Sequence, residues 1–293
     1  MVAGGGPSEL YTDLDSVHRA LDGLLAHRAP GGLAEPLVVP LAGTVDAATV
    51  CGPESRLAEL GQQLGIPVAA GFVITAAALV QHLKHNRLWE RARMACEPRS
   101  PDPGDEAEAR GLADAVRAAP LPETVRHAID EACAALAGAE TGTAFALYPA
   151  PMGSERMDRS GVWAHARHGV VAEDVTRAYT RLLSHLLPSH VVPKGDAHPQ
   201  WPCVTCVREA PAQQRGLLLT SDPDRPLSMR LEVDAGGGET HVVPRHPIED
   251  APDGLADDFA PLTRMALVVE RFAGRPQMIA WTRSEAGFAV EQC

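Results

Sequence analysis

The stretch "PLTRMALVVERFAGRPQMIAWTRSEAGFAVEQC" (261–293) constrains the fold more than any other part of the chain. Its first third repeats apolar residues at helical spacing and halts at Gly274, a residue that ends helices because it accepts the left-handed backbone of a stop. The remainder alternates as two short strands around a turn, the form of a hairpin that often carries metal ligands. One strand face then holds Met278 and Ala280, and neither side chain offers the oxygen that a hard cation needs.

The rest of the chain mixes both kinds of element. "SELYTDLDSVHRALDGLLAHRAP" brings Leu14, Val17, Leu21, Leu24 and Leu25 to helical spacing, so an amphipathic helix is expected at about 12–28. "PLVVPLAG" (36–43) reads as a short buried strand, and "SRLAELGQQLG" (55–65) as a helix closed by Gly65. "IPVAAGFVIT" reads as a loop and strand, and "AAALVQHLKHNRLWERARMAC" as one helix. "EPRSPDPGDEAEA" (97–109) reads as a polar surface loop. "LADAVRAAPLPETVRHAIDEACAALAG" holds two helices, with Pro122 in the first turn of the second and Gly138 at its end. "GTAFALYP" (142–149) is a strand, and "AEDVTRAYTRLLSHLLP" (172–188) is a helix with Val175, Tyr179, Leu182, Leu183 and Leu186 on one face. "PCVTCVREA" (202–210) and "RGLLLTSDP" (215–223) are read as adjacent strands, and "SMRLEVDAGGGETHVVP" (228–244) as strand, Gly-rich turn and strand. Strict βαβ alternation is missing, so the class is α+β.

At 293 residues the chain suffices for one large domain or two modest ones. Aromatics make up only 4%, so the core rests on Ala, Leu and Val. A formal net charge of −12 argues against a general binder of nucleic acid or anionic membranes. The start "MVAGGGPSELYTDLDS" lacks the basic and apolar regions of a secretory leader, and no apolar run approaches the roughly 18 residues of a membrane span. A cytoplasmic, reduced protein is expected, with its cysteines as small buried hydrophobes and Cys293 exposed by its position.

"WPCVTC" contains one C-x-x-C with His190 and His198 upstream. On a strand, Cys203 and Cys206 point to opposite faces, which favours core over a zinc site. His165, His168, His241 and His246 are read as chance neighbours among 12 histidines rather than as a metal or phosphohistidine site.

Four of these segments together resemble the N-terminal nucleotide-binding domain of phosphoenolpyruvate synthase and pyruvate phosphate dikinase. "LAELGQQLGIPVAAGFVIT" is similar to that family's Leu-Gly-Glu helix and the G-hydrophobic-P-V-P-x-G-F-V-hydrophobic-T segment after it. "LPETVRHAIDEACAAL" is similar to its L-P-x-x-hydrophobic-x-x-A-I-x-E-A helix, "RGLLLTSDP" to its S-G-V-hydrophobic-F-T-x-D-P strand, and "ERFAGRPQMIAW" to its E-x-x-x-G-x-P-Q-D-I-E-W stretch. The resemblance spans roughly residues 36 to 293. It implies an ATP-grasp-like domain with two lobes around a cleft, divided at 35–225 and 226–293, behind an N-terminal helical extension at 1–34.

In that family the domain moves a phosphoryl group from ATP to a histidine on another domain. Lysine and arginine hold the phosphates and carboxylates hold Mg²⁺. The resemblance sets Glu54 at or near the phosphate lysine, Tyr148 at a phosphate-gripping arginine, Met278 and Ala280 at the metal-binding Asp and Glu, and Cys293 at a second arginine. The family's S-F-A-G-Q reads "SGVWA" (160–164), and its G-L-G-E turn reads "GGGE" with Glu239 kept. Glu239, Glu270 and Gln292 are the polar residues left to a vestigial nucleotide cleft, with no catalytic and no metal-binding residue expected.

The leading expectation is therefore a degenerate, catalytically inactive domain that serves as a structural or regulatory subunit, through a protein partner or self-association, with no cofactor. One alternative is an ATP- and Mg²⁺-dependent phosphotransferase component that has rebuilt its site from Glu239, Glu270, Gln292 and Arg283. Another is a sensor that binds a nucleotide or small ligand without turnover.

Overall fold

The computed structural model describes residues 36–41, 52–95, 103–138, 140, 142–150, 166–190, 203–209, 211–225, 227–233, 238–244 and 255–293. The helix expected at 12–28 lies outside these, as do the "SGVWA" stretch, His165, His198 and His246.

Among the described residues, ten strands form two antiparallel five-stranded sheets. The first contains β1 (Val38–Pro40), β2 (Gly71–Ile74), β3 (Ala144–Ala150), β4 (Arg167–Val171) and β5 (Cys203–Arg208) in the order β1-β2-β5-β3-β4. The second contains β6 (Gln214–Leu219), β7 (Ser228–Val233), β8 (Thr240–Pro244), β9 (Met278–Ser284) and β10 (Gly287–Gln292) in the order β10-β9-β6-β7-β8. The α+β class is thus observed. The strands at 203–208 and 214–219, expected to be adjacent, are consecutive in the chain but lie in different sheets. The sequence between them, "EAPAQ", carries the crossing, and each strand is central in its own sheet.

Seven helices are described: α1 (Gly52–Leu64), α2 (Ala76–His85), α3 (Trp89–Ala95), α4 (Pro103–Ala118), α5 (Glu123–Ala137), α6 (Val175–His190) and α7 (Leu255–Ala273). The segment at 76–96 is two helices rather than one. Arg87 takes a left-handed backbone at φ 57°, and the Asn86 side chain donates to the carbonyls of His82 (2.9 Å) and Pro120 (3.0 Å). The His82 carbonyl still takes the Asn86 N–H (3.2 Å), and the helix ends where Arg87 turns left-handed while the side-chain bond to Pro120 anchors the turn. Helix α4 begins inside the expected loop at Pro103, because proline suits a first helical position, where no N–H is required. Pro122 is the residue before α5, Gly138 follows it at φ 58°, and Gly274 follows α7 at φ 69°, as the stop signals predict.

Helix α5 buries Val125, Ile129 and Cys133 and lies against β1 and β2, while α6 lies against β3, β4 and α4. The five apolar residues predicted for the α6 face, from Val175 to Leu186, are all buried. On the second sheet, Phe259 of α7 meets Trp281 and Phe288 with ring centroids 5.7 and 5.8 Å apart. Cysteines 203 and 206 are both buried, and burial pushes the Cys206 thiol up, with Cys133 beside it adding to the shift. Cys293 is also buried, at 6% exposure, against the expectation of a free surface thiol; β10 carries it into the interior next to Gln292.

The "TSDP" stretch is a fold device. Asp222 accepts from Arg230 at both oxygens (2.8 and 3.0 Å) and from the Asp224 N–H (2.8 Å), which fixes the turn into β7. Gly216 pairs with Trp281 in the β6–β9 ladder. A Cβ there would lie 1.8 Å from the Glu232 carbonyl oxygen and 2.9 Å from Trp281 Cζ2. Gly216→Ala therefore forces two central strands apart. We expect a loss of roughly 3 kcal/mol, the upper end for overpacking, measured as a lower urea midpoint at unchanged slope.

Candidate functional site

The site is the seam between the two sheets, and the end of β10 builds it. Val290 pairs with Trp281 and Gln292 with Ala280, so Glu291 is an extra residue in the ladder, a β-bulge. A regular strand would send Glu291 and Gln292 to opposite faces. The bulge turns both toward the first sheet. Glu291 accepts a hydrogen bond from the Tyr148 hydroxyl on β3, and the Gln292 amide donates to Thr205 Oγ1 on β5 at 3.3 Å. Tyr148 and Thr205 are cross-strand partners, so they share one face of their sheet. All four side chains are buried.

Backbone bonds close the same seam. The Val290 N–H donates to the Pro67 carbonyl at 2.8 Å, and the Ala69 N–H donates to the Val290 carbonyl at 2.9 Å. Residues 67–69 lead directly into β2, so the outer edge of β10 is tied to the strand that enters the other sheet.

Beside the Tyr148–Glu291 bond sits a charged group. Glu209, just after β5, receives His168 Nδ1 (2.8 Å), the Gly169 N–H (2.8 Å) and Arg215 Nη1 (2.8 Å). A carboxylate only accepts, so Nδ1 carries the proton in this contact. The His168 ring stands edge-on to the Tyr148 ring at 5.6 Å. Burial pushes the Glu291 carboxyl above its usual range, and Tyr148, His168 and Arg215 offset this only in part. Burial acts the same way on Glu209, but its bonds to His168, Gly169 and Arg215 outweigh it and hold the group below the usual range. Tyr148 is driven far up, first by burial and then by the Glu291 charge, so it stays a neutral donor.

Of the residues singled out by sequence, the structure brings only some to this seam. Gln292 is in it. Ala280 is the cross-strand partner of Gln292 and shares its face, and Met278, two residues away, lies on that face too. Tyr148 is at the centre. Glu239 is 84% exposed beside β8, with His241 3.4 Å away. β8 and β10 are opposite edges of one sheet, four strand spacings or roughly 19 Å apart. Glu270 is half-buried on α7 and Glu54 lies in the first turn of α1. Arg283 covers the Phe288 ring at 5.3 Å and donates to Gln214 at 3.3 Å. Sequence reasoning missed Glu291, Glu209, Arg215 and strand β4 with His168. The available signal was an acid directly beside Gln292 at the end of a strand otherwise read as apolar.

The two carboxyls give opposite pH limbs. The folded chain keeps a proton on Glu291 to higher pH than the unfolded chain does. Its contribution to stability is complete below the ordinary carboxylate value and is lost as pH rises through the raised one. Glu209 contributes above the ordinary value and loses that contribution as pH falls through its depressed one. Glu291→Gln keeps an acceptor for Tyr148 without the charge. Urea midpoints across pH 2 to 8 should show the decline above the carboxylate range in the natural chain, its absence in E291Q, and the same acid-side loss in both.

No curated protein matches the chain. Residues 47–150, which run from ahead of α1 to the end of β3 and include Glu54 and Tyr148, match the family model of the pyruvate phosphate dikinase AMP/ATP-binding domain, and over that segment the resemblance read from the sequence is established.

Proposed function

We propose that this chain is an ATP-grasp-like, two-lobed domain of the pyruvate phosphate dikinase AMP/ATP-binding type that has given up phosphoryl transfer, and that it works as a cytoplasmic structural or regulatory subunit through a protein partner or self-association. The observation that carries this reading is the buried Tyr148–Glu291 bond across the sheet seam. Where the resemblance expects a guanidinium to grip phosphate, a neutral phenol is committed to a carboxyl of its own chain. Bringing a polyphosphate there requires breaking that bond and placing negative charge beside two carboxyls.

The donor set does not fit magnesium triphosphate either. Met278 and Ala280 present a thioether and a methyl on the seam face, where Mg²⁺ requires oxygen. The oxygens that are present, on Glu209, Glu291 and Gln292, already serve His168, Arg215, Tyr148 and the Cys293 N–H. Among the described residues no three His, Cys, Asp or Glu side chains come together as a metal site. Among them, too, no helix is long and apolar enough to cross a membrane.

Thermal unfolding with ATP, with and without Mg²⁺, is the test. We expect no Mg²⁺-dependent saturable rise in Tm, where a ligand at a hundred times its Kd would add about 2.7 kcal/mol. Native mass spectrometry should show a defined oligomer or a co-purifying protein. A saturable Mg²⁺-dependent shift with phosphate release would restore the phosphotransferase reading, and the same shift without release would make the chain a nucleotide sensor.

A further inference from the structure

We propose that the hollow between strand β4 and helix α6 is a binding site for a small phosphate dianion, free or as a phosphomonoester. The hollow has a volume of about 220 Å³ and shares His168 and Gly169 with the Glu209 group beside the sheet seam. Arg167 comes from β4, and Arg177 and Arg181 come from successive turns of α6, four residues apart and so on one face of the helix. Asp174 also lines the hollow and pairs with Arg177 at 3.0 Å. Three guanidinium groups against one carboxylate leave two positive charges, in a chain whose formal net charge is −12. A local excess of positive charge is what an anion site requires.

The residue types narrow the ligand. Arginine offers a planar fork that matches phosphate and carboxylate oxygens two at a time. Two net charges balance a phosphomonoester dianion and would leave a monocarboxylate over-compensated. Val171 and Ala178 supply apolar wall beside the arginines, room for the carbon part of a small phosphorylated molecule. Arg167, Arg177 and Arg181 are all exposed, so the site is formed without opening the core.

Calorimetric titration of the full chain with inorganic phosphate, at fixed ionic strength and with acetate as control, tests this. We expect saturable binding of one phosphate, at least tenfold weaker acetate binding, and at least tenfold loss of phosphate affinity in R167Q and in R181Q. These are exposed positions, and matching circular dichroism spectra will show that the fold is kept. Equal affinity in the R167Q/R181Q double variant, a response that tracks ionic strength alone, or acetate binding as tight as phosphate would overturn the assignment. Arg167 and Arg181 make none of the seam bonds described above: Mg²⁺-dependent ATP binding that survives in the double variant bears on the proposed loss of phosphoryl transfer and not on this hollow.

Discussion

One extra residue in β10 sets the relation between the two sheets. Without the bulge at Glu291, either that residue or Gln292 would point to the face where Trp281, Phe288 and Phe259 pack. Burying an amide or a carboxyl among those rings would cost several kcal/mol with no partner to offset it. The bulge instead sends both polar side chains to the first sheet, where Tyr148 and Thr205 lie side by side to receive them. The backbone of Val290 completes the closure by bonding residues 67 and 69 on the free edge of the strand. An edge strand that would otherwise expose its N–H and C=O groups is thereby covered.

The electrostatics of the seam follow from this closure. Two carboxyls share it, and their surroundings drive them in opposite directions: Glu291 faces a phenol in the interior, while Glu209 faces a guanidinium, an imidazole and a backbone N–H. Titratable groups driven apart in this way often mark an acid–base pair in an enzyme. Here both also tie the two sheets together. Each carboxyl is bonded to a group on the facing sheet or on a neighbouring strand, and Tyr148 lies between them with its hydroxyl engaged. Such a network specifies one relative placement of the sheets, because any shift strands a buried polar group.

The sequence made the fold class and most elements legible because periodicity and stop residues are local signals. Gly138, Gly274 and the apolar stripe of α6 act within one turn or one face, and they are where periodicity places them. The break at Asn86–Leu88 was not legible, because it depends on a carbonyl 34 residues away at Pro120. Strand β4 was hidden for a similar reason. "RHGVV" is short, polar and mostly exposed, and it is a strand because β3 offers it an edge. The site was half legible. Tyr148, Met278, Ala280 and Gln292 do share the seam, but Glu291 joins them only through a bulge, and a bulge is set by the pairing of two strands rather than by either alone.

The two faces of the hairpin answer to different contacts. In "PQMIAW" the residues that agree with the family pattern are Pro276, Gln277, Ile279 and Trp281. Gln277 exchanges bonds with Thr220, its N–H reaching the Thr220 hydroxyl at 2.8 Å and its carbonyl receiving the Thr220 N–H at 2.9 Å, which locks the start of β9 onto β6. Trp281 fills the face toward α7 and fits only because Gly216 opposes it. The two residues that depart from the pattern, Met278 and Ala280, alternate with these on the seam face. A strand separates the two demands by its period of two: one face answers to the core, where a change in volume is destabilising, and the other to whatever enters the cleft. The seam face of β9 can therefore differ in chemistry without disturbing the face that packs the core, because the two faces answer to different contacts.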